Sequence, residues 1–291
     1  MSCRAPEFGW VEAATDSLAD SDYLRLFKQI SFNRHFEFAV AGHCDRKEIR
    51  IPIYLSVGQE HIPAVIASVT KDLKIFAQHR AHSYYLSFGG DPRKLVDELR
   101  NLTSGCAGGM GGSASIHCPE SGMFGHSGLM GDQVPIAVGY ALVSKNATMA
   151  VVGDGSGEED YVLGAMGFAA TKKVPVLFVC EDNDLSILTK TSARRSWGLA
   201  EVARSFGMGS VDIADDPLLI AHHVKQAMDN LPFYINIRTC RQLWHAGTGR
   251  DGLPEWNRFE MIKAHLAAKG YGDHVTALEQ EAISEVEALW V

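Results

Sequence analysis

The sequence predicts an α/β fold: a doubly wound, mainly parallel sheet with helices on both faces. Three observations predict it. Segments with apolar residues at helical spacing alternate with short apolar runs, those runs are apolar on both faces, and one of them ends in a glycine turn that leads at once into a helix.

Taken in chain order, residues 21–42 place Leu24, Phe27, Ile30, Phe36 and Phe38 at helical spacing, the pattern of a helix that packs on a larger body. Residues 58–69 read as a second helix. Asp91-Pro92 opens a third, running to about residue 102, with a capping residue followed by proline at the first helical position. From Gly105 to Gly131 glycine is dense, in GCAGGMGGSASIH and GMFGHSGLMGDQ. Met, Ile, Phe and His are interleaved with it, which favours an ordered ligand loop over a linker. A regular alternation follows: helix 134–144, strand ATMAVVGDG, helix 161–171, strand VPVLFVCEDN, helix 199–206, a strand near Val211, helix 218–228 and strand FYINIRT. Two amphipathic segments, 259–268 and 274–290, end the chain, and no internal repeat is visible. The expected organisation is an N-terminal helical segment (1–50) packed on the main domain, an α/β domain (51–250) and C-terminal helices (251–291).

With 291 residues, 46% of them hydrophobic and 21% charged, the chain can bury a substantial core. A formal charge of −8 with no clustered Lys or Arg argues against a nucleic-acid surface. No window approaches the roughly 18 consecutive apolar residues of a membrane helix, and no secretory pattern opens the chain; a cytoplasmic location is expected. The six cysteines lack CxxC spacing and read as reduced, and Cys106, His117 and Cys118 fit no standard zinc pattern.

The chemistry is signalled most strongly by VVGDGSGEED, where an apolar strand ends in Gly153-Asp154-Gly155 before a helix. Ligands in such sheets bind where strands end. The next strand ends at Asn183, so Asp154 and Asn183 would sit side by side at the carboxyl edge. A carboxylate and an amide oxygen there suit one hard cation, and Mg²⁺ with a phosphate ligand fits the pair. Taken alone, GDG is equally an ordinary strand-to-helix turn.

Further segments add specificity. SVGQEHIPAV, HRAHSYYLSFGG, GCAGGMGGSASIH and GHSGLMGDQVPIAVGYAL precede GDG and the Asp182-Asn183 turn, and RTCRQLWHAGTGR follows. In this order, over 56–245, they resemble the alpha subunits of thiamine diphosphate-dependent 2-oxo acid dehydrogenases. The resemblance implies that Asp154, Asn183 and the Leu185 carbonyl hold Mg²⁺. It further implies that His79, at the family's usual tyrosine, and Arg80 grip the diphosphate, that Gly155 and Ser156 donate backbone hydrogen bonds to it, and that Gly128 and Met130 touch the aminopyrimidine. Ile187 matches the residue that holds the cofactor bent, Arg241 a phosphate-side arginine, and His245 and His82 the candidate proton-handling histidines. Asp182 stands where the family usually has a first Asn. Glu158, Glu159 and Asp160 either point away from the diphosphate or help orient the cation's shell. Gln59 and Glu60 carry no assignment, and Ala246 stands where regulated relatives carry a phosphorylatable serine, so no such switch is expected.

The function so implied is that of an alpha-type subunit of a two-component thiamine diphosphate enzyme, decarboxylating a 2-oxo acid and transferring the acyl group. A separate beta-type subunit would supply the glutamate for the aminopyrimidine, in a two-plus-two heterotetramer, with a lipoyl acyltransferase as a possible acceptor. The alternatives are a split transketolase-like or acyloin-forming enzyme that transfers a ketol or acyl unit to an aldehyde, and a non-catalytic relative that binds the cofactor.

Overall fold

The computed structural model describes residues 18–125, 128–250 and 256–291. Residues 1–17 of the expected N-terminal segment, His126 and Ser127 of the second glycine-rich stretch, and 251–255 lie outside the described residues.

Among the described residues, six parallel strands form one sheet: β1 (Lys74–Phe76), β2 (Met123–Phe124), β3 (Thr148–Gly153), β4 (Val176–Asp182), β7 (Gly209–Ala214) and β8 (Phe233–Arg238), in the order β2-β1-β3-β4-β8-β7. A separate antiparallel hairpin is made by β5 (Leu185–Ser186) and β6 (Thr189–Lys190). Successive strand residues point to opposite faces, and each face meets helices. Met149, Val151, Leu177, Val179, Ile235 and Ile237 pack into one core with α1 (Asp20–Asp45), α2 (His61–Val69), α4 (Pro92–Leu99), α9 (Pro217–Met228), α10 (Arg258–Leu266) and α11 (Gly272–Glu287). Ala150, Val152, Phe178, Cys180 and Tyr234 face the other core, with α5 (Gln133–Ser144), α6 (Asp160–Lys172) and α8 (Leu199–Ser205). These are the doubly covered faces that strands apolar on both sides require.

The helix boundaries follow local chemistry. Asp91 accepts from the Arg93 backbone N–H at 2.9 Å, with Pro92 opening α4, and Asp216 accepts from Leu218 and Leu219 at 2.8 and 3.2 Å, with Pro217 opening α9. α4 stops at Leu99, short of the expected end near residue 102, because Asn101 is left-handed at φ 57°. α1 packs along α11, and its Phe27, Ile30 and Phe36 are fully buried, each contributing about 2 kcal/mol of burial. The sequence reading did not anticipate β1, β2, β5, β6, α3 (His82–Ser87) or the four-residue helix Thr191–Arg194. Two or three strand residues, or six helical ones, are too few to display a period. None of the helices among the described residues is long and apolar enough to cross a membrane.

The first glycine-rich segment corrects an expectation. Rather than facing a cavity, it wraps the fully buried carboxylate of Glu98 near the end of α4. Glu98 accepts from the backbone N–H of Ala107 and Gly109 at 2.7 and 2.9 Å through Oε2, and of Gly111 and Gly112 at 2.8 and 3.0 Å through Oε1. A Cβ on Gly105 would lie 2.5 Å from Glu98 Oε2, so glycine is required for this approach. The loop's ligand is thus an internal anion, bound by a concave run of amides.

A second buried charge ties the sheet's carboxyl edge to the C-terminal helices. Asp215, just past β7, accepts from Arg258 Nε and Nη2 at 2.9 and 2.6 Å, Thr239 at 2.9 Å and Trp256 at 3.2 Å, with His61 Nε2 at 3.4 Å. Burial would raise its carboxyl above the ordinary 3.8, but the Arg258 guanidinium and His61 outweigh it and hold it near about 2.

Two outcomes are expected from these anchors. Asp215→Asn leaves Arg258 buried without its carboxylate and should cost about 3–5 kcal/mol in urea unfolding. Because the folded carboxyl lies below its unfolded value, the contribution of Asp215 is complete above about pH 4 and lost as pH falls toward about 2. Glu98→Gln deprives buried amides of an acceptor, and hydrogen exchange across 105–112 should accelerate while the strands stay protected; unchanged protection of the loop would contradict its dependence on Glu98.

Candidate active site

At the carboxyl edge, β3 and β4 run side by side with Gly153 opposite Glu181, so the residues that leave their ends share one cleft. Asp154, Asn183 and Leu185 line this cavity together with His79, Arg80, Met130, Gly155, Ser156, Ile187 and His245. Ten residues proposed from the sequence are therefore brought to one place. Gln78, Gly153, Glu181 and Ser186 complete the lining.

Asp154 is 1% exposed, and burial together with the charge of Asp182 lifts its carboxyl to about 6 against the pull of Arg194 and Arg195. Its Oδ2 accepts from Arg194 Nη2 and, at 3.2 Å, from Thr191 Oγ1, while its backbone carbonyl accepts from Arg195 Nη1 at 2.7 Å. Both arginines also donate to Glu158 Oε1. The acidic run is thereby resolved: Glu158 is matched by these two guanidiniums, and the Asp160 carboxylate accepts from the Tyr161 backbone at 2.7 Å. Asn183 donates to Gln59 Oε1 at 2.8 Å and accepts from the Leu185 backbone at 3.2 Å. Asp182 faces away from the cavity, accepting from Asn236 at 3.0 Å and from the Asp184 backbone at 3.1 Å.

A short flap covers the strand ends: the β5–β6 hairpin followed by α7 (Thr191–Arg194). Ser186 sits so close to Gly155 that a Cβ there would lie 2.6 Å from Ser186 Oγ. Ile187, at the hairpin tip, is 59% exposed with φ 55°, a left-handed conformation unusual for a β-branched residue. Arg241 Nη2 donates to its carbonyl at 2.7 Å. In this structure Arg241 therefore supports the Ile187 turn and is not part of the cavity lining.

Arg80 is 3% exposed and donates to the Leu55 carbonyl at 2.7 Å and the His245 carbonyl at 3.3 Å, seating the final loop beside the cavity. Below it lies Glu181, to which Gln78 Nε2 and, at 3.2 Å, Tyr84 Oη donate; burial raises its carboxyl to about 7 against these bonds and Arg80. Tyr54, His79 and His245 form a ring cluster, with centroid separations of 5.0, 5.6 and 5.1 Å. Met130 is held from behind, its carbonyl accepting from Tyr161 Oη.

Besides Arg241, two further proposed residues, His82 and Gly128, are absent from the cavity lining. His82 is fully buried, with Nδ1 2.8 Å from Glu37 Oε2 and Nε2 2.8 Å from Ser113 Oγ. The Glu37 carboxylate accepts from Nδ1, and Ser113 Oγ, which also accepts from the Tyr54 backbone at 2.9 Å, meets Nε2. Both ring nitrogens are committed to joining α1 to the glycine loop, which leaves His82 a structural place. Gly128 is exposed at φ 108° and stands outside the lining.

Sequence reasoning missed Gln59, Gln78, Glu181, Thr191, Arg194 and Arg195. Gln59 lies within a segment quoted for the resemblance and Gln78 immediately before another, yet polar residues in such segments give no sign of which way they face. The Arg194-Arg195 pair had a usable signal, since it follows the Asp182-Asn183 turn closely and complements the acidic run beyond GDG.

An oxygen set of one carboxylate, one side-chain amide and one backbone carbonyl suits a hard divalent cation. Arg80 and the backbone at the Gly155 turn suit an anionic group beside it. The residues present thus fit a divalent cation bridged to a phosphate-bearing ligand.

The family model described as "Dehydrogenase E1 component" matches residues 28–245. The mitochondrial pyruvate dehydrogenase E1 component subunit alpha of Dictyostelium discoideum is 33% identical over 181 residues, covering 60% of this chain and 47% of that protein. The corresponding subunit of Rickettsia bellii is 26% identical over 242 residues, covering 77% of this chain and 73% of that protein. The chain thus spans about half the length of the first of these relatives. Among solved structures, transketolases from Campylobacter jejuni (TM-score 0.61, 16% identity, 88% of this chain and 48% of that one) and Leishmania mexicana (0.57, 14%, 91% and 45%) share the fold. The match to the family model covers most of the chain, including both strand ends that build the cavity, and the chain belongs to the dehydrogenase E1 component family.

Proposed function

We propose that the chain is the alpha-type subunit of a two-component thiamine diphosphate enzyme that decarboxylates a 2-oxo acid and passes on the acyl group. The observation that carries this reading is the convergence of Asp154, Asn183 and Leu185 with Arg80, Gly155 and Ser156 in one cavity. Similarity to pyruvate dehydrogenase E1 alpha subunits points the same way. The likeness to transketolases is one of fold, and no feature of the cavity favours ketol transfer.

In this reading the Asp154 carboxylate, the Asn183 amide oxygen and the Leu185 carbonyl hold Mg²⁺, with Arg80 and the backbone of Gly155 and Ser156 binding the diphosphate. Thiamine diphosphate, when bound, supplies a carbon nucleophile and a sink for the electron pair released with carbon dioxide. The chain's part is to orient and to manage protons. Ile187, held by Arg241, presents a bulky side chain from the flap, Met130 stands on the cavity wall, and His245 offers an imidazole able to give or take a proton near neutral pH. His79 lines the cavity beside Arg80, with its ring 5.1 Å from that of His245.

A beta-type subunit supplying the glutamate for the aminopyrimidine, in a two-plus-two heterotetramer, belongs to the same proposal, with a lipoyl acyltransferase as acceptor and a cytoplasmic location. Its support is the exposure of Ile187 in the lining and of Leu129, Leu188 and Trp244, each next in the chain to a lining residue, at 59%, 61%, 68% and 50%. Apolar side chains gathered around a site call for a covering surface.

Asp154→Ala should weaken Mg²⁺-dependent thiamine diphosphate binding, read by calorimetric titration, by about 100-fold or more; undiminished binding would refute the site. The purified chain supplied with thiamine diphosphate, Mg²⁺, a 2-oxo acid and an artificial electron acceptor should be inactive until a beta-type subunit is added. Robust turnover by the chain alone would refute the two-component reading.

A further inference from the structure

Beyond the residues already assigned to the cation, Arg194 makes a contact that a cofactor reading leaves unexplained. Its guanidinium lies on Asp154 Oδ2, the carboxylate meant for the cation. We propose that Arg194 competes with the divalent cation for Asp154, so that the cation binds well only together with the diphosphate. The proposal rests on the thiamine diphosphate reading above and adds a residue to it.

The arrangement is built rather than incidental. Arg194 ends α7, whose first residue is fixed by its backbone N–H donating to the Asp184 carbonyl at 3.1 Å. Thr191 Oγ1 touches Asp154 and accepts from Arg194 Nη2 at 3.0 Å, so carboxylate, hydroxyl and guanidinium close a three-membered cluster. The side chains of Arg194 and Arg195 are 14% and 4% exposed, and that of Asp154 is 2% exposed. Charges held this far from water are screened little, and a buried carboxylate without a cation partner would be costly.

The sign of the coupling follows from the charges. Asp154 and Glu158 pair with Arg194 and Arg195, two anions against two cations, with the Asp182 carboxylate acting on Asp154 from outside these pairs. A bare divalent cation at Asp154 meets the Arg194 guanidinium on the same carboxylate and adds positive charge at close range without bringing a counter-charge. A diphosphate arriving with the cation supplies that counter-charge and offers guanidiniums new acceptors. Cation alone is therefore opposed by Arg194, whereas the cation–diphosphate pair is not. A purely structural Arg194 makes the opposite expectation: its loss would loosen the flap and weaken cation binding in both situations.

Mn²⁺ binding to the full chain, followed by the electron paramagnetic resonance signal of the free ion, separates the two. Without thiamine diphosphate, Arg194→Gln should bind Mn²⁺ about tenfold or more tighter than the wild type. Arg194→Lys, which keeps the charge, should stay close to the wild type. With saturating thiamine diphosphate the advantage of Arg194→Gln should vanish or reverse. Equal or weaker Mn²⁺ binding by Arg194→Gln in the absence of thiamine diphosphate would overturn the proposal while leaving the cofactor reading intact, provided the wild type takes up Mn²⁺ with thiamine diphosphate through Asp154. If the wild type takes up no Mn²⁺ under either condition, the cofactor reading fails and the proposal falls with it.

Discussion

A carboxylate buried at the end of a central strand is the constraint around which this molecule is organised. Asp154 sits at the sheet's carboxyl edge, nearly without solvent, and burial works against its charge. The fold answers by bringing positive and hydrogen-bonding groups from later in the chain. The β5–β6 hairpin and α7 fold back over the strand ends, placing Thr191, Arg194 and Arg195 around it. That return also sets Leu185, Ser186 and Ile187 along one wall of the cavity, so the group that neutralises Asp154 and the group that shapes the pocket are one continuous segment.

The remaining walls depend on further buried polar contacts. Arg80 draws the loop carrying His245 toward the sheet through two backbone carbonyls. Glu98 organises the glycine-rich loop, which in turn presents Ser113 to His82 and to the Tyr54 backbone, and Tyr54 packs its ring against His79 and His245. The chain of contacts from Glu98 to His245 shows how a carboxylate outside the cavity sets a ring at its mouth. Asp215 performs a similar service at the far end of the edge, fastening α10 through Arg258.

Much of this was legible in the sequence, for identifiable reasons. The long apolar strands β3, β4 and β8 and their intervening helices have enough residues for a period to show, and the Gly153-Asp154-Gly155 turn and Asn183 mark strand ends whose adjacency follows from parallel pairing. What escaped was decided by direction and by distant partners. His82 lies in the same segment as Arg80, but Glu37 and Ser113 claim its ring and turn it from the cavity. The glycines at 105–112 were read as an ordered ligand loop, and the group they bind is the carboxylate of Glu98, a side chain of the same molecule. Arg241, implied to lie on the phosphate side, donates to the Ile187 carbonyl, a partner that its place in the sequence does not reveal. Short elements such as β2 and α3 offered no period at all.

The central claim is that side chains leaving two neighbouring strands jointly hold a cation that secures a diphosphate. A crystal structure of the chain grown with Mn²⁺ and thiamine diphosphate, with the metal located by anomalous scattering, tests it most directly. The account expects the anomalous peak between the Asp154 carboxylate, the Asn183 amide oxygen and the Leu185 carbonyl, with Arg194 moved off Asp154. A peak elsewhere, or bound thiamine diphosphate with no metal peak beside Asp154, would contradict it.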